Sequence, residues 1–230
     1  MKFRTLLILV AILLFLPFAV KFLLLPKPFT IYDKPLPFPP EREEMTKNYI
    51  EAHYGFRPET IAIQPEIIVL HWTGIDGFRD SWERFAPLTL VDSRPDIADA
   101  GAVNVSVHFL VARNGTVYRL MPETRMGRHV IGLNYCAIGV ENAGGSEGND
   151  DLTDAQVKAD ANLVRNLKER FPTIQYLIGH HEYLAFEHLP LWREKDPDYR
   201  TTKYDPGARF MERVRAEVAD LGLEGPPDDR

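Results

Sequence analysis

The stretch Ile67-Ile-Val-Leu-His71 is an unbroken apolar run, rich in β-branched residues, that ends on a histidine. Short runs of this composition predict a β-strand. In sheets flanked by helices, ligand sites gather where the strands end. The run therefore predicts a strand of an α/β fold and, at its end, His71 as a candidate functional residue.

Four further apolar runs predict the rest of a sheet. Residues 105–112 and 116–120 flank Asn114-Gly115, a pair typical of a tight hairpin turn, and residues 137–141 and 176–178 predict two more strands. A hairpin joined to strands elsewhere in the chain indicates a sheet with both parallel and antiparallel pairs.

Two helices are predicted between and after these strands. Thr153-Asp-Ala-Gln156 is a capping box that opens a helix ending near Arg170, and a last helix runs from Pro206 to about Leu221. Strands that alternate with helices indicate an α/β domain with a central mixed β-sheet flanked by helices.

Composition excludes several classes of protein. The 230 residues are 45% hydrophobic and 26% charged, which is typical of one well-buried globular domain. The net charge of -6 argues against a surface built for nucleic-acid phosphates, so no nucleic-acid partner is expected. Cys136 is the single cysteine, so the chain forms no internal disulfide.

The N-terminal segment predicts the compartment. Lys2 and Arg4 precede an apolar run over residues 6–25, which is long enough to cross a hydrocarbon core of about 30 Å and predicts a signal anchor. A cleaved signal peptide is the alternative, although the run lacks a clear small-x-small cleavage site. Either way, the positive start directs the rest of the chain out of the cytoplasm, to the periplasm or cell envelope, anchored in the first case to the cytoplasmic membrane.

The remaining domain boundaries follow from proline content. Six prolines between residues 26 and 40 predict an extended linker that holds the domain off the membrane. A single folded domain is expected over residues 41–223. Residues 224–230 are rich in Pro and Asp and predict a flexible tail.

Three short motifs supply a candidate ligand set for one metal ion. They contain His71, His180 in Ile178-Gly-His-His-Glu182, and Asp205 in Lys203-Tyr-Asp-Pro-Gly207. Two imidazoles and one carboxylate are the number of protein ligands that a catalytic zinc requires, with the fourth position left for water. The set predicts metal-assisted hydrolysis with Zn²⁺ as the cofactor.

Five strings along the chain point to a known family. In order they are Val69-Leu-His-Trp-Thr73, Val107-His-Phe-Leu-Val-Ala-Arg-Asn-Gly-Thr-Val-Tyr118, Ala137-Ile-Gly-Val-Glu-Asn142, Gly179-His180 and Lys203-Tyr-Asp-Pro-Gly207. Together they resemble the zinc-dependent N-acetylmuramoyl-L-alanine amidases, which are related to phage lysozyme-type amidases and peptidoglycan recognition proteins. The resemblance covers roughly residues 60–215.

The resemblance implies a role for each motif residue. His71, His180 and Asp205 would bind zinc, Glu141 would be the general base, and Lys203 would stabilise the oxyanion. A carboxylate that is not a metal ligand can take a proton from water and pass it to the leaving amine. A lysine two residues from a ligand is tied close to the metal, where its charge meets the developing negative charge on the carbonyl oxygen.

Two departures from the family pattern affect these roles. Some relatives carry a catalytic tyrosine where this chain has Val107, so Glu141 is expected to carry the proton transfer. His180 is followed directly by His181, which leaves two candidates for one ligand position. The Gly179-His180 match favours His180, because neighbouring side chains of an extended segment point opposite ways.

Four residues are predicted to contact the substrate. His108 and His129 fall where relatives have substrate-pocket histidines. Arg193 and Arg200 belong to the long connection 183–202 between the second and third ligands, and their guanidinium groups can pair with stem-peptide carboxylates. The alternative for this connection is a local packing flap.

The expected function is hydrolysis of the amide between N-acetylmuramic acid and L-alanine, with peptidoglycan or muropeptides as the partner. Two alternatives stay open at this stage. One is a peptidoglycan-binding module without catalysis, and the other is a zinc amidase acting on a different N-acyl substrate. The presence of all three ligands and of Glu141 favours the enzyme.

Overall fold

The computed structural model describes residues 29–91 and 97–227. The predicted signal anchor therefore lies outside the described residues, as do the start of the predicted linker and the last three residues of the tail. Within the described ranges, no helix combines the length and apolar character needed to cross a membrane.

A mixed sheet of six strands forms the centre of the folded unit. Its strands are β1 (Ile31–Asp33), β2 (Ile67–Trp72), β3 (Phe109–Val111), β4 (Val117–Arg119), β5 (Ala137–Asn142) and β6 (Tyr176–Gly179). They lie in the order β1-β4-β3-β5-β2-β6. The β3–β4 hairpin is antiparallel and the other described pairs are parallel, which confirms the predicted central mixed sheet.

In the described part of the chain, four α-helices and the longest of three 3-10 helices pack around the sheet. They are α1 (Pro40–Tyr54), α2 (Phe78–Phe85), α3 (Asp154–Arg170), the 3-10 helix His180–Phe186, and α4 (Ala208–Glu217). The predicted capping box is confirmed, because the Thr153 side chain accepts a hydrogen bond from the Gln156 backbone N–H. The last helix begins later than predicted, since Gly207 before it has a φ of 92°.

The helices pack on both faces of the sheet, and this fixes which way each strand residue points. α3 and α4 pack on Ile68 and Leu70 of β2, while α1 and the 3-10 helix pack on Val69. Because alternate residues of a strand face opposite sides, His71 lies on the same face as Val69.

The folded unit begins earlier than predicted, at Ile31. β1 pairs with β4 along the edge of the sheet, and Leu36 is 5% exposed in a cluster with Phe85 and Val107. The prediction of a spacer is therefore wrong for residues 31–40. Apolar side chains between the prolines find burial sites, so this part of the segment is integrated into the domain.

The chain also stays ordered slightly beyond the predicted end of the domain. The Leu177 N–H donates to the Glu224 carbonyl over 2.9 Å, and the Glu224 N–H donates to the Gln175 carbonyl over 2.9 Å. These bonds extend the sheet beside β6, so residue 224 belongs to the folded unit rather than to a flexible tail.

Candidate functional site

The three predicted metal ligands converge at one edge of the sheet. β2 and β6 are parallel neighbours in the register Leu70↔Gly179, so the residues that follow, His71 and His180, lie side by side. Asp205 lies in the loop before α4. Its Oδ2 is 3.3 Å from His71 Nδ1 and 3.0 Å from His180 Nδ1, and the ligand atoms all lie within 4.8 Å of one another. We call these three residues the ligand cluster.

The structure separates the two adjacent histidines. His180 begins the 3-10 helix and turns its Nδ1 to the Asp205 carboxylate. His181 instead donates to the Asp205 backbone carbonyl from both its ring Nδ1 and its backbone N–H, each over 2.9 Å. The geometry therefore places His180 in the ligand cluster and His181 behind the loop that carries Asp205.

Two members of the cluster, His180 and Asp205, have the protonation states that metal ligands need. Burial lowers the pKa of the His180 imidazole to about 4, so the ring is neutral at pH 7. Burial alone would raise the pKa of the Asp205 carboxyl, but the neighbouring His180 holds that pKa well below its ordinary value. A neutral imidazole and an ionised carboxylate bind divalent cations without releasing protons.

The donor set fits zinc. Two imidazole nitrogens and one carboxylate oxygen match the hardness and number of ligands in catalytic zinc sites, which keep one further position open. The three side chains come from three different parts of the chain and are largely buried, with exposed side-chain fractions of 1% for His71, 11% for His180 and 13% for Asp205. Such burial restricts the ligand atoms to a narrow range of positions.

The ligand cluster forms part of the wall of a cleft of about 550 Å³. Glu141 and Lys203, the predicted base and oxyanion-stabilising residue, line the same cleft. The other lining residues are Trp72, Thr73, Gly74, Ile75, Arg84, Phe85, Val105, Val107 and His129. Six of the predicted site residues, His129 among them, are thus brought together in one cavity.

His129 also reaches this cavity, but through a contact to a ligand. Its ring Nδ1 lies 3.1 Å from His71 Nε2, on the side of the His71 ring that faces away from the cluster. His129 therefore lies beside the metal site as well as in the cleft wall.

His108 lies in the core and is not among the residues that line the cleft. Its side chain is fully buried, its Nε2 donates to the Arg125 carbonyl over 2.8 Å, and its Nδ1 accepts from the Gly139 N–H over 3.0 Å. Burial lowers the pKa of His108 to about 4. With both ring nitrogens bonded to backbone, His108 ties the β3 strand to β5.

Arg193 and Arg200 also differ from expectation, because neither lines the cleft. The Arg200 guanidinium donates to Glu187 Oε1 over 2.8 Å and lies over the Trp192 ring at 4.8 Å. Arg193 lies over the Tyr135 ring at 4.9 Å. Both arginines are held by local partners, which agrees with the packing-flap alternative rather than with a substrate-facing wall.

One polar pair near the cluster was not predicted. Asn142, at the end of β5, donates from Nδ2 to the His71 carbonyl over 3.3 Å and to Asp160 Oδ2 over 2.8 Å. Burial raises the pKa of the Asp160 carboxyl to about 7. A signal existed in the sequence, since Asp160 lies between Val157 and Ala161 on the buried face of the predicted helix.

The comparisons with known proteins agree with this geometry. The sequence model of the family described as N-acetylmuramoyl-L-alanine amidase matches residues 62–208, a range that holds the whole ligand cluster, Glu141 and Lys203. The chain therefore belongs to the type 2 N-acetylmuramoyl-L-alanine amidase family.

Individual relatives are similar in sequence or in fold. An endolysin of Klebsiella phage KP32 is 34% identical over 107 residues, which are 43% of this chain and 70% of the endolysin. A selenomethionine derivative of AmpD has a TM-score of 0.51 at 24% identity and covers 82% of this chain and 94% of its own. The amidase LysC from Clostridium intestinale URNW has a TM-score of 0.49 at 20% identity and covers 85% and 99%. Because the sequence identity to AmpD is only 24%, the structural likeness shows a shared fold.

Proposed function

We propose that this protein is a zinc-dependent amidase that hydrolyses the amide between N-acetylmuramic acid and L-alanine in peptidoglycan or its fragments. The observation that carries the proposal is the convergence of the ligand cluster, Glu141 and Lys203 on one cleft. Membership of the amidase family supports the reaction class and the substrate.

In this proposal the chain's own residues divide the chemistry among them. His71, His180 and Asp205 would hold a zinc ion, which would supply the Lewis acidity that polarises a carbonyl and makes water more acidic. Glu141 takes a proton from the attacking water and delivers it to the nitrogen of the leaving L-alanine, so the amide bond breaks with a neutral amine as product.

Lys203 has the complementary task on the carbonyl oxygen. It shares the cleft with Glu141 and lies two residues before Asp205, so its charge is tied to the same end of the cavity. Negative charge that develops on the carbonyl oxygen during attack is stabilised by a positive group already in place. The Lys203 charge also lowers the pKa of His180, which keeps that ring neutral.

The test is hydrolysis of a defined muropeptide by the full-length chain, followed by mass spectrometry of the products. The expected result is one fragment ending in free N-acetylmuramic acid and one peptide with a free L-alanine amine. Treatment with a chelator should abolish both products, and added Zn²⁺ should restore them.

Two other results would replace the proposal. Tight binding of the muropeptide without cleavage, in the presence of Zn²⁺, would identify a binding module. Zinc-dependent cleavage of simple N-acyl amino acids, with muropeptides left intact, would identify an amidase with another substrate.

We further propose that the catalytic domain works outside the cytoplasm and is anchored by residues 6–25. This part of the proposal is supported by the sequence alone, through the apolar run and the positive charges before it. Peptidoglycan lies in that compartment, so the proposed substrate and the proposed location agree.

A further inference from the structure

A ring nitrogen of His129 lies within hydrogen-bond distance of a ring nitrogen of His71, one of the proposed metal ligands. The distance between His71 Nε2 and His129 Nδ1 is 3.1 Å, and the two rings are nearly perpendicular, at 85° with centroids 5.2 Å apart. A hydrogen bond between two imidazole nitrogens needs one that carries hydrogen and one with a bare lone pair. If His71 Nε2 carries the hydrogen of this contact, then Nδ1, the ring nitrogen that faces the ligand cluster, has a free lone pair.

The backbone determines the protonation of His129. Its other nitrogen, Nε2, lies 3.3 Å from the carbonyl oxygen of Ala137. A carbonyl oxygen only accepts, so His129 Nε2 carries the hydrogen. A neutral imidazole carries a single ring hydrogen, so with that hydrogen on Nε2 the Nδ1 of His129 is bare and can accept from His71.

The hydrogen in the contact between the rings therefore belongs to His71 Nε2. Its Nδ1 is then left with a free lone pair, and this is the atom 3.3 Å from Asp205 Oδ2 inside the cluster. We propose that His129 is a positioning residue that fixes the tautomer of His71, so that Nδ1 is the atom presented to the metal. Metal-ligating histidines usually donate their second N–H to a carboxylate, a carbonyl or water, and an imidazole takes that place here.

Two features of the fold hold the His129 ring in this position. The Asn134 side-chain oxygen accepts from the backbone N–H groups of both His129 and Val130 over 2.8 Å, which fixes the loop. Gly139 of β5 lies directly under the ring, and a Cβ on it would come within 2.8 Å of His129 Cγ and Nδ1. The strand lacks a side chain where the ring approaches it.

The first test reads the tautomer directly and needs no variant. The full-length chain is labelled with ¹⁵N-histidine, loaded with Zn²⁺ and examined by NMR of the ring nitrogens. We expect hydrogen on Nε2 of both His71 and His129, and a scalar coupling across the hydrogen bond between His71 Nε2 and His129 Nδ1. Hydrogen on Nδ1 of His129 would overturn the proposal.

The second test measures zinc affinity in variants by competition with a chelator of known affinity. His129→Leu removes the acceptor, and Gly139→Ala displaces the ring without removing it. Both should weaken zinc binding by about 10- to 100-fold, the range for partners of metal-bound histidines. His129→Gln keeps an acceptor oxygen and should retain more affinity than His129→Leu.

The control is His53→Leu, which removes another buried histidine whose Nε2 lies 3.0 Å from a carbonyl, that of Ala100. It should lower thermal stability while zinc affinity stays at the wild-type value. Equal loss of affinity in His53→Leu and His129→Leu, or none in His129→Leu, would refute the positioning role. Neither test uses substrate, so the outcome is separate from that of the proposed amidase reaction.

Discussion

His71 and Glu141 stand directly opposite each other on the parallel strands β2 and β5, each at the last position but one of its strand. The ladder that sets this register runs from Ile67↔Ala137 to Trp72↔Asn142. A proposed ligand and the proposed base are thus aligned by backbone hydrogen bonds, which do not depend on either side chain. Substituting one of the two should leave the other in place.

Replacing Glu141 by Gln should separate metal binding from catalysis. The amide is nearly isosteric with the carboxylate but cannot take a proton, so we expect kcat to fall by about 10²- to 10⁴-fold with zinc content unchanged. Steady-state kinetics on a muropeptide and metal analysis of the same sample measure both. Glu123→Gln, a buried glutamate paired with Arg170, is the matched control and should keep wild-type kcat. Wild-type turnover in Glu141→Gln would assign Glu141 a structural role.

The two adjacent histidines should differ in their effect on zinc. His180→Ala removes a ring nitrogen from the ligand cluster, and we expect zinc affinity to fall by more than the roughly 100-fold that outer partners contribute. His181→Ala removes a bond to the Asp205 backbone and should have the smaller effect. Zinc competition assays on both variants decide the order, and the reverse order would transfer the ligand position to His181.

Asp160→Asn should change how stability depends on pH. Burial raises the pKa of the folded-state carboxyl from 3.8 to about 7, so the protonated form is favoured by folding. The stabilisation is complete below pH 3.8 and is lost as the pH rises towards 7. The neutral asparagine should therefore match wild type at pH 4 and be more stable at pH 8, by up to about 4 kcal/mol at 1.36 kcal/mol per pKa unit.

The measurement is thermal unfolding of wild type and Asp160→Asn from pH 4 to pH 8, with the difference between the two compared at each pH. Other titrating groups are common to both proteins and cancel in that difference. Asp220→Asn, an exposed aspartate paired with Arg165, serves as the control and should show no rise of this kind. A constant difference across the range would mean that Asp160 is ionised in the folded protein.

Arg84 and Arg200 should respond in opposite ways to replacement by alanine. Arg84 lines the cleft, so its loss should raise KM for muropeptides with free carboxylates and leave the melting temperature nearly unchanged. Arg200 bonds Glu187 and covers Trp192, so its loss should lower the melting temperature and leave KM unchanged. Kinetics and unfolding of the two variants test this, and a raised KM in Arg200→Ala would restore the substrate-facing wall.

The natively expressed protein should retain residues 6–25 and remain with the membrane fraction. The positive start and the length of the apolar run are the reasons. Intact-mass analysis of protein from washed membranes gives the answer. A mature form that begins near Lys21 would indicate a secreted enzyme instead.

The sequence was sufficient for those elements whose signals are local. β2 is a continuous apolar run, and the helix of residues 154–170 begins with its own capping box. α1 was not predicted because the side chains that it buries include Arg42, Thr46 and His53, so its inner face reads as polar. β1 was not predicted either, because it has only three residues and lies in a proline-rich segment, a composition that does not indicate pairing with β4.

The site residues also fall into two groups, those that local motifs predict and those whose roles depend on distant partners. Its central residues fall in motifs at the ends of strands, and strand order then brings them together. The roles of Arg200 and His108 depended on partners distant in sequence, Glu187 and the backbone of Gly139 and Arg125, which no motif reveals. The acceptor role of His129 likewise depends on the Ala137 carbonyl, which any residue at that position would supply.

The bonds from His181 to Asp205 have a consequence for how the proposed zinc ion would enter and leave its site. The ring and the backbone N–H of His181 both donate hydrogen bonds to the Asp205 backbone carbonyl. Only the side-chain carboxylate of Asp205 belongs to the ligand cluster. The loop is thus held by contacts that do not pass through the ion, unlike small zinc domains that unfold without metal. Zinc should leave and return as a reversible exchange on a preorganised scaffold, with the chain folded throughout.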